Sequence, residues 1–523
     1  MRFLMGLLGL LIGGLGLAQT LVYGLSGQPQ NLDPATHTDT NGSLVQTQIY
    51  NTLVGFVPGS TELAPELATE WSSDPEAKVW TFKLREGVLF HDGTPFNAEA
   101  VKFNFERWWD PNHPAGFRAE GKTYPRWLRV FGPFKGEEGS LLGQVEVIDP
   151  YTVRFHLSQP FAAFPAALGA QFGIASPQAL IAAGAAYGAP GSNIAGTGPF
   201  VFKSWSYGER IVLEKNPNYW RPDLPKAQEL IFRFIAEPAS RLAELRAGSI
   251  DLAGDLSPDD RDSLEADPNL AVLIRPSLNV GYLALNPAFA PFADPRVREA
   301  VDLALDQAGT AAALYGELGV GDGHFLPPSL AEFRAPDFAE NFDPARAREL
   351  LAEAGYPQGF DLELWYMPVS RPYFPSPAVV AEIIAANLAD IGIRVQLRTE
   401  DWAAYLADVD TPPGFPAFIL GWTAPYPDPD AFFWPHFAPG HTGYLGGFQN
   451  PQLLELMNQG RTSADPAERA QIYAQAEQLV AADRVRLVLI HASPLLAHRV
   501  GVTGWLPSPM GQESLEGVSK ALP

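Results

Sequence analysis

Hydrophobic and polar positions alternate with period two near residue 80. Trp80, Phe82 and Leu84 fall on one face and Thr81 and Lys83 on the other, which predicts a half-buried strand. Val145 and Val147, the turn pair Asp149-Pro150, then Val153, Phe155 and Leu157 predict a β-hairpin. With a helix over residues 97–109, the stretch 55–160 reads as a β-rich unit. An earlier short strand is expected over residues 21–25, and a helix within the Ala/Gly-rich middle at about 177–186.

The second half changes period. Asp294-Pro295 supplies an N-cap and a first-turn proline, and Val297, Ala300, Val301, Ala304 and Leu305 follow at helical spacing. Asp343-Pro344 repeats this start, with Gly355 as the stop. Asp465-Pro466 with Glu468 predicts a third start closed by a capping box, with Leu479 and Val480 on its apolar face. Between these lies an alternation of types: strand over 360–366, helix over 378–391 stopped by Gly392, strand over 393–397, short helix over 402–407, strand over 417–420. Such a β-α-β-α-β order builds a parallel sheet.

Ligands of open α/β sheets sit outside the carboxyl ends of the strands. Two segments occupy that place. Residues 367–377 follow the first strand and carry Arg371; Gly421-Trp422-Thr423 follows the last. Both are proline-rich or aromatic, and both are candidate binding segments.

Composition narrows the function. The net charge of −23 argues against nucleic acid and anionic membranes as partners. The absence of cysteine excludes disulfides, thiolate chemistry and a lipid-modified cysteine. No Gly-x-Ser-x-Gly motif or phosphate loop supports an enzyme or nucleotide binder. Of the nine histidines, His436 and His441 are five apart in a Pro/Gly-rich loop, His91 reads as structural, and no tight His/carboxylate cluster points to a metal site or cofactor. Met1-Arg2, an apolar run from Phe3 to Leu17 and the small residues Gly16 and Ala18 predict a secretory leader over residues 1–19 that is cleaved without lipid anchoring. A short membrane anchor is the alternative reading of this run.

Several segments together resemble the peptide and nickel class (family 5) of substrate-binding proteins of ATP-driven importers. They are Ala64-Pro65-Glu66-Leu67-Ala68-Thr69-Glu70-Trp71; Trp80 to Val88 leading into Phe90-His91-Asp92-Gly93; Gly196-Thr197-Gly198-Pro199-Phe200; Asn216-Pro217-Asn218-Tyr219-Trp220; Leu278 to Leu283; and Pro295 to Ala300. Leu364-Trp365-Tyr366-Met367-Pro368-Val369-Ser370-Arg371-Pro372-Tyr373 is similar to dipeptide binders within that class, as is Gly421-Trp422-Thr423 with Asp428-Pro429-Asp430 and Phe432. The resemblance implies an α/β, two-lobed periplasmic binding protein (type II, cluster C). Lobe I would comprise 20–54, 195–278 and 490–523, the extra domain of lobe I 55–194, and lobe II 279–489. It also implies a non-catalytic, monomeric receptor outside the cytoplasm, most simply in a periplasm. Such a receptor closes on its ligand at hinge crossings near 276–280 and 490–493 and delivers it to a membrane permease.

A short peptide is a zwitterion with an exposed backbone, so its receptor needs a cation for the carboxylate, an acid for the ammonium and strands for the backbone. Arg371 is the candidate cation, since a planar guanidinium can grip both oxygens; an exposed arginine stacked on Tyr373 or Trp365 is the structural alternative. The acid that follows the tryptophan in dipeptide binders is replaced here by Pro425. Asp39, beside Thr40 in a segment that touches ligand in the family, Asp428 and Asp430 are the candidate substitutes, against the commoner role of a loop-capping aspartate. Trp422, Tyr282, Tyr426 and Trp434 are candidate walls, with ordinary core as the alternative. The ligand classes left open are di- or oligopeptides and, in the same receptor role, an oligosaccharide, a glutathione-like molecule or a chelated metal or haem. An extracytoplasmic enzyme or chaperone on this fold is the remote third reading.

Overall fold

The computed structural model describes residues 19–521 apart from 171, 337, 339–341 and 441–446. Residues 1–18 of the predicted leader and His441 therefore lie outside the described residues. The first strand, β1 (Thr20–Leu25), leads into helix α1 (Thr40–Ile49). The alternating stretch then forms a separate antiparallel sheet of β2 (Ala68–Ser73), β3 (Val79–Leu84), β4 (Leu142–Asp149) and β5 (Thr152–Leu157), in the order β2-β3-β5-β4. Trp80, Phe82 and Leu84 are buried and Lys83 is exposed, as the period-two pattern requires. Helix α2 (Ala98–Trp109), capped by Asn97, packs on this sheet, and α3 (Pro125–Phe131) follows.

The chain then returns to the sheet of β1 with β6 (Phe200–Ser206), β7 (Arg210–Lys215), β8 (Glu229–Phe234), β9 (Leu252–Leu256) and β10 (Leu270–Ile274). It next enters a second sheet: β11 (Asn279–Leu285), β12 (Gly319–Val320), β13 (Asp361–Trp365), β14 (Arg394–Arg398), β15 (Ala417–Thr423) and β16 (Arg486–Ala492). Finally β17 (Leu495–Arg499) rejoins the first sheet. The orders are β10-β17-β9-β1-β8-β7-β6 and β12-β16-β11-β15-β13-β14. These two sheets are the cores of the two lobes.

The β-α-β-α-β reading holds in detail: β13 pairs parallel with both β14 and β15, and the helix Pro377–Asp390 is the first crossover. Gly355 and Gly392, with φ of +95° and +88°, sit just past two helix ends where a left-handed residue is needed. The helix at Pro466–Asp483 starts as expected, with Asp465 accepting from the Glu468 amide at 2.9 Å. The capping box is not closed: Glu468 instead accepts from the Ser463 hydroxyl at 2.5 Å, and the Asp465 amide donates to that same hydroxyl.

The extra sheet is fastened to the first lobe through a buried charge cluster. Asp33, after β1, meets Arg107 of α2 at 2.7 Å and also Lys122. Breaking such a buried pair costs several kcal/mol, so the cluster holds the extra sheet firmly against the segment after β1.

Candidate functional site

Strand directions decide where a ligand can sit. In lobe I, β1, β8, β9 and β10 are mutually parallel, so their carboxyl ends, Leu25, Phe234, Leu256 and Ile274, share one edge. In lobe II the carboxyl ends of β13, β14, β15 and β16 share an edge with the amino end of β11. The chain crosses between these edges twice, at residues 275–278 and 493–494. The edges therefore face each other across a cleft spanned by two short connections. The Asn279 side chain ties the two strands at this point. Its amide donates to the Ala492 carbonyl at 2.8 Å and its oxygen accepts from the Ala492 amide at 3.1 Å.

Arg371 lies on the loop after β13, at this edge. It is exposed, its backbone brackets a tight turn with Phe374, and its guanidinium stands 4.9 Å from the Trp402 ring centroid. The stacking partner is thus Trp402, not Tyr373 or Trp365. Arg371 has no carboxylate partner among the described residues.

Gly421, Trp422 and Thr423 close β15 beside it. A Cβ on Gly421 would meet the Tyr373 ring at 2.4 Å and the Val280 carbonyl at 2.5 Å, so glycine is what lets the Arg371 loop lie against β15. Trp422 is half-buried. Its Nε1 donates to the Ala431 carbonyl at 2.8 Å and its ring meets His436 edge-on, with the Arg129 guanidinium 5.3 Å from the ring centroid. Thr423 is exposed, and its carbonyl accepts from Arg129 at 2.8 Å.

The candidate acids are differently placed. Asp39 caps α1, accepting from the Gly42 amide at 2.6 Å, and lies 2.7 Å from His37 Nδ1. Burial would raise its pKa, but the His37 contact and the amide bonds outweigh that and hold it low. Asp39 is thus a committed cap; Thr40, exposed in the first turn of α1, remains at the lobe I edge. Asp428 is buried, pairs with Arg469 through both oxygens and accepts from the Asp430 amide. It is not a free acid in the cleft. Asp430 is also buried; it accepts from the Tyr426 hydroxyl at 3.0 Å, and burial pushes its pKa up.

Two candidate walls are core residues instead. Tyr282 is 2% exposed beneath the Arg486 guanidinium, and Tyr426 is 5% exposed against Phe161. Trp434 is half-buried under Arg461, 3.8 Å from the ring centroid. His91 holds a turn, with Nε2 3.0 Å from the Gly198 carbonyl. Among the described residues no group of three or more His, Cys, Asp or Glu side chains could hold a metal, and no helix is long and apolar enough to cross a membrane.

Sequence reasoning missed three residues. Trp402 supports Arg371, Tyr373 fills the space that Gly421 leaves, and Arg129 of α3 reaches from the extra domain to the end of β15. Trp402 heads a predicted helix and Tyr373 lies in a quoted motif. Nothing in the pattern around Arg129 points it to the cleft.

Residues 62–444 match the family model for bacterial extracellular solute-binding proteins, family 5 Middle. The chain belongs to this family. Heme-binding protein A of Haemophilus influenzae is 33% identical over 96% of this chain and 92% of that protein. The dipeptide-binding protein of Escherichia coli is 30% identical over 96% of this chain and 95% of that protein. The solved structure of HbpA2 from Haemophilus parasuis superposes with a TM-score of 0.88 at 30% identity, covering 96% of this chain and all of that one. As a family 5 solute-binding protein, the chain has the two-lobed α/β fold that the two facing sheets display.

Proposed function

We propose that this family 5 protein is the extracytoplasmic receptor of an ABC importer. It captures di- or oligopeptides between its lobes by hinge closure and hands them to the membrane permease. The observation that carries the peptide reading is Arg371: an exposed guanidinium on the cleft edge, stacked on Trp402, with no carboxylate partner among the described residues. A ligand carboxylate supplies that partner. Thr423 at the end of β15 and Thr40 at the start of α1 are exposed and offer polar groups to a ligand from lobe II and lobe I.

Residues 20–54, 195–278 and 490–523 act as lobe I, with 55–194 as its extra domain and 279–489 as lobe II. The crossings at 275–278 and 493–494 serve as the hinge. Ligand contacts to both lobes favour the closed form, which the permease distinguishes. The role is non-catalytic, the protein acts as a monomer in the periplasm, and the leader is removed during export.

A second reading keeps the receptor role and changes the ligand. It is favoured by Pro425, buried and uncharged shortly after Trp422, and by the engagement of Asp39 and Asp428 with His37 and Arg469. A thermal-shift screen of ligand-stripped mature protein separates the two. Peptides with a free C-terminus raise the melting temperature and their C-terminal amides do not, if Arg371 is the carboxylate anchor. Stabilisation by oligosaccharides or chelates alone would replace the peptide with those ligands.

A further inference from the structure

Helix α3 carries two arginines one turn apart, and they reach opposite lobes. Arg126 is buried; its Nε donates to the His37 carbonyl at 3.1 Å and its Nη2 meets the Ser43 hydroxyl at 3.3 Å, both in lobe I. Arg129 is exposed; its Nη2 donates to the Thr423 carbonyl at 2.8 Å and its guanidinium lies 5.3 Å from the Trp422 ring centroid, both in lobe II. Arg371 belongs to the loop whose Tyr373 packs against Gly421 at the same strand end. Both Arg371 and Arg129 lie within electrostatic range of the Tyr373 hydroxyl.

None of these three arginines has a carboxylate partner among the described residues. The nearby acids are already used: Asp39 by His37 and the α1 cap, Asp428 by Arg469, and Asp430 by Tyr426 with Arg461 at 3.7 Å. The residues after Thr423 are Ala424 and Pro425, which carry no charge. On the lobe I edge, Asp255 is exposed, but it accepts from Ser26 and lies within range of the Arg241 and Arg275 charges. Two arginines, Arg371 and Arg129, therefore stand near the Gly421–Thr423 strand end with no ion-paired carboxylate among the described residues.

We infer that the cleft selects a ligand with two anionic groups, one carboxylate meeting Arg371 and a second meeting Arg129 with Arg126 behind it. Within the peptide reading on which this rests, the substrates are acidic or amino-blocked peptides, not neutral zwitterionic dipeptides. A second charge-assisted hydrogen bond is worth about 10- to 100-fold in affinity.

The test is calorimetric titration of the mature protein with matched peptides that differ only in Glu against Gln, plus glutarate as a non-peptide dicarboxylate. The Glu peptide should bind about 10- to 100-fold tighter, with the preference shrinking as salt is added. Arg129→Gln should collapse the Glu/Gln ratio to about one, and Arg129→Lys should restore part of it. A ratio near one in the wild type, or one unchanged in Arg129→Gln, overturns the inference and leaves the peptide receptor standing. So does tight binding of neutral dipeptides that Asp255→Asn abolishes. If no peptide binds but glutarate does, and Arg129→Gln removes it, the anionic cleft stands and the peptide reading falls. If nothing binds, both fall.

Discussion

Arg469 grips both carboxylate oxygens of Asp428, each at 2.8 Å, with both side chains buried inside lobe II. A buried pair of this geometry is a structural clamp, because either charge left alone in the interior is strongly unfavourable. Asp428→Ala should therefore lower the unfolding free energy by about 3–5 kcal/mol. Ligand affinity of the folded fraction should be unchanged. Urea unfolding and calorimetry on the same sample check both halves. Lost affinity at full stability would return Asp428 to the binding site.

The same pair shows what the sequence could convey. Arg469, Ile472, Tyr473 and Ala476 recur at helical spacing and are all buried. An arginine on an apolar helix face demands an acid, but its partner lies 41 positions away and no local pattern names it. Asp39 reads from the sequence as a candidate acid for the ligand, with a loop-capping role as the alternative, and it caps α1. Tyr282 was not legible as core, because every residue of β11 is buried and a strand covered on both faces shows no alternation. The elements around Arg371 and Trp422 were recovered because strand order and the rule of carboxyl ends act locally. Arg129 was not, because it reaches the site only through the docking of a separate domain.

Arg371 gives the sharpest functional test. Its exposed stacking on Trp402 contributes no more than about 1 kcal/mol to folding. Arg371→Gln should therefore barely move the melting temperature of the ligand-free protein. Affinity for free-carboxylate peptides should fall by about 10- to 100-fold, the worth of a charge-assisted bond. C-terminal amides should bind wild type and variant equally weakly. Equal loss for acids and amides would mean that the arginine shapes the loop and does not bind the carboxylate.

Gly421 tests whether the Arg371 loop must lie against β15. A methyl group there meets a backbone carbonyl at 2.5 Å as well as the Tyr373 ring, and the carbonyl cannot turn away within a paired strand. Gly421→Ala should cost about 1–3 kcal/mol of stability and displace Tyr373, the neighbour of Arg371. Affinity should fall together with stability. A stable variant with full affinity would show that the loop has slack.

His91 predicts a pH effect of defined sign. Its Nδ1 accepts from the Gly196 amide at 3.3 Å and its Nε2 donates to the Gly198 carbonyl, so the neutral ring fits and a second ring proton would break the first bond. Burial lowers its pKa to about 4, against an ordinary 6.5. Between these values the unfolded chain binds a proton that the native state refuses. The stabilisation is full above pH 6.5 and is lost as pH falls toward 4, with a slope of up to about 1.4 kcal/mol per pH unit. Glu66 and Asp430, whose pKa values burial raises, act with the opposite sign, so the wild-type curve alone does not isolate the histidine. The comparison is urea unfolding at pH 7.5 and pH 5 for wild type and His91→Gln. The variant should be less stable at pH 7.5 and should lose about 2 kcal/mol less than wild type on acidification. Parallel losses in both proteins would mean that His91 takes up its proton in the folded state at an ordinary pH.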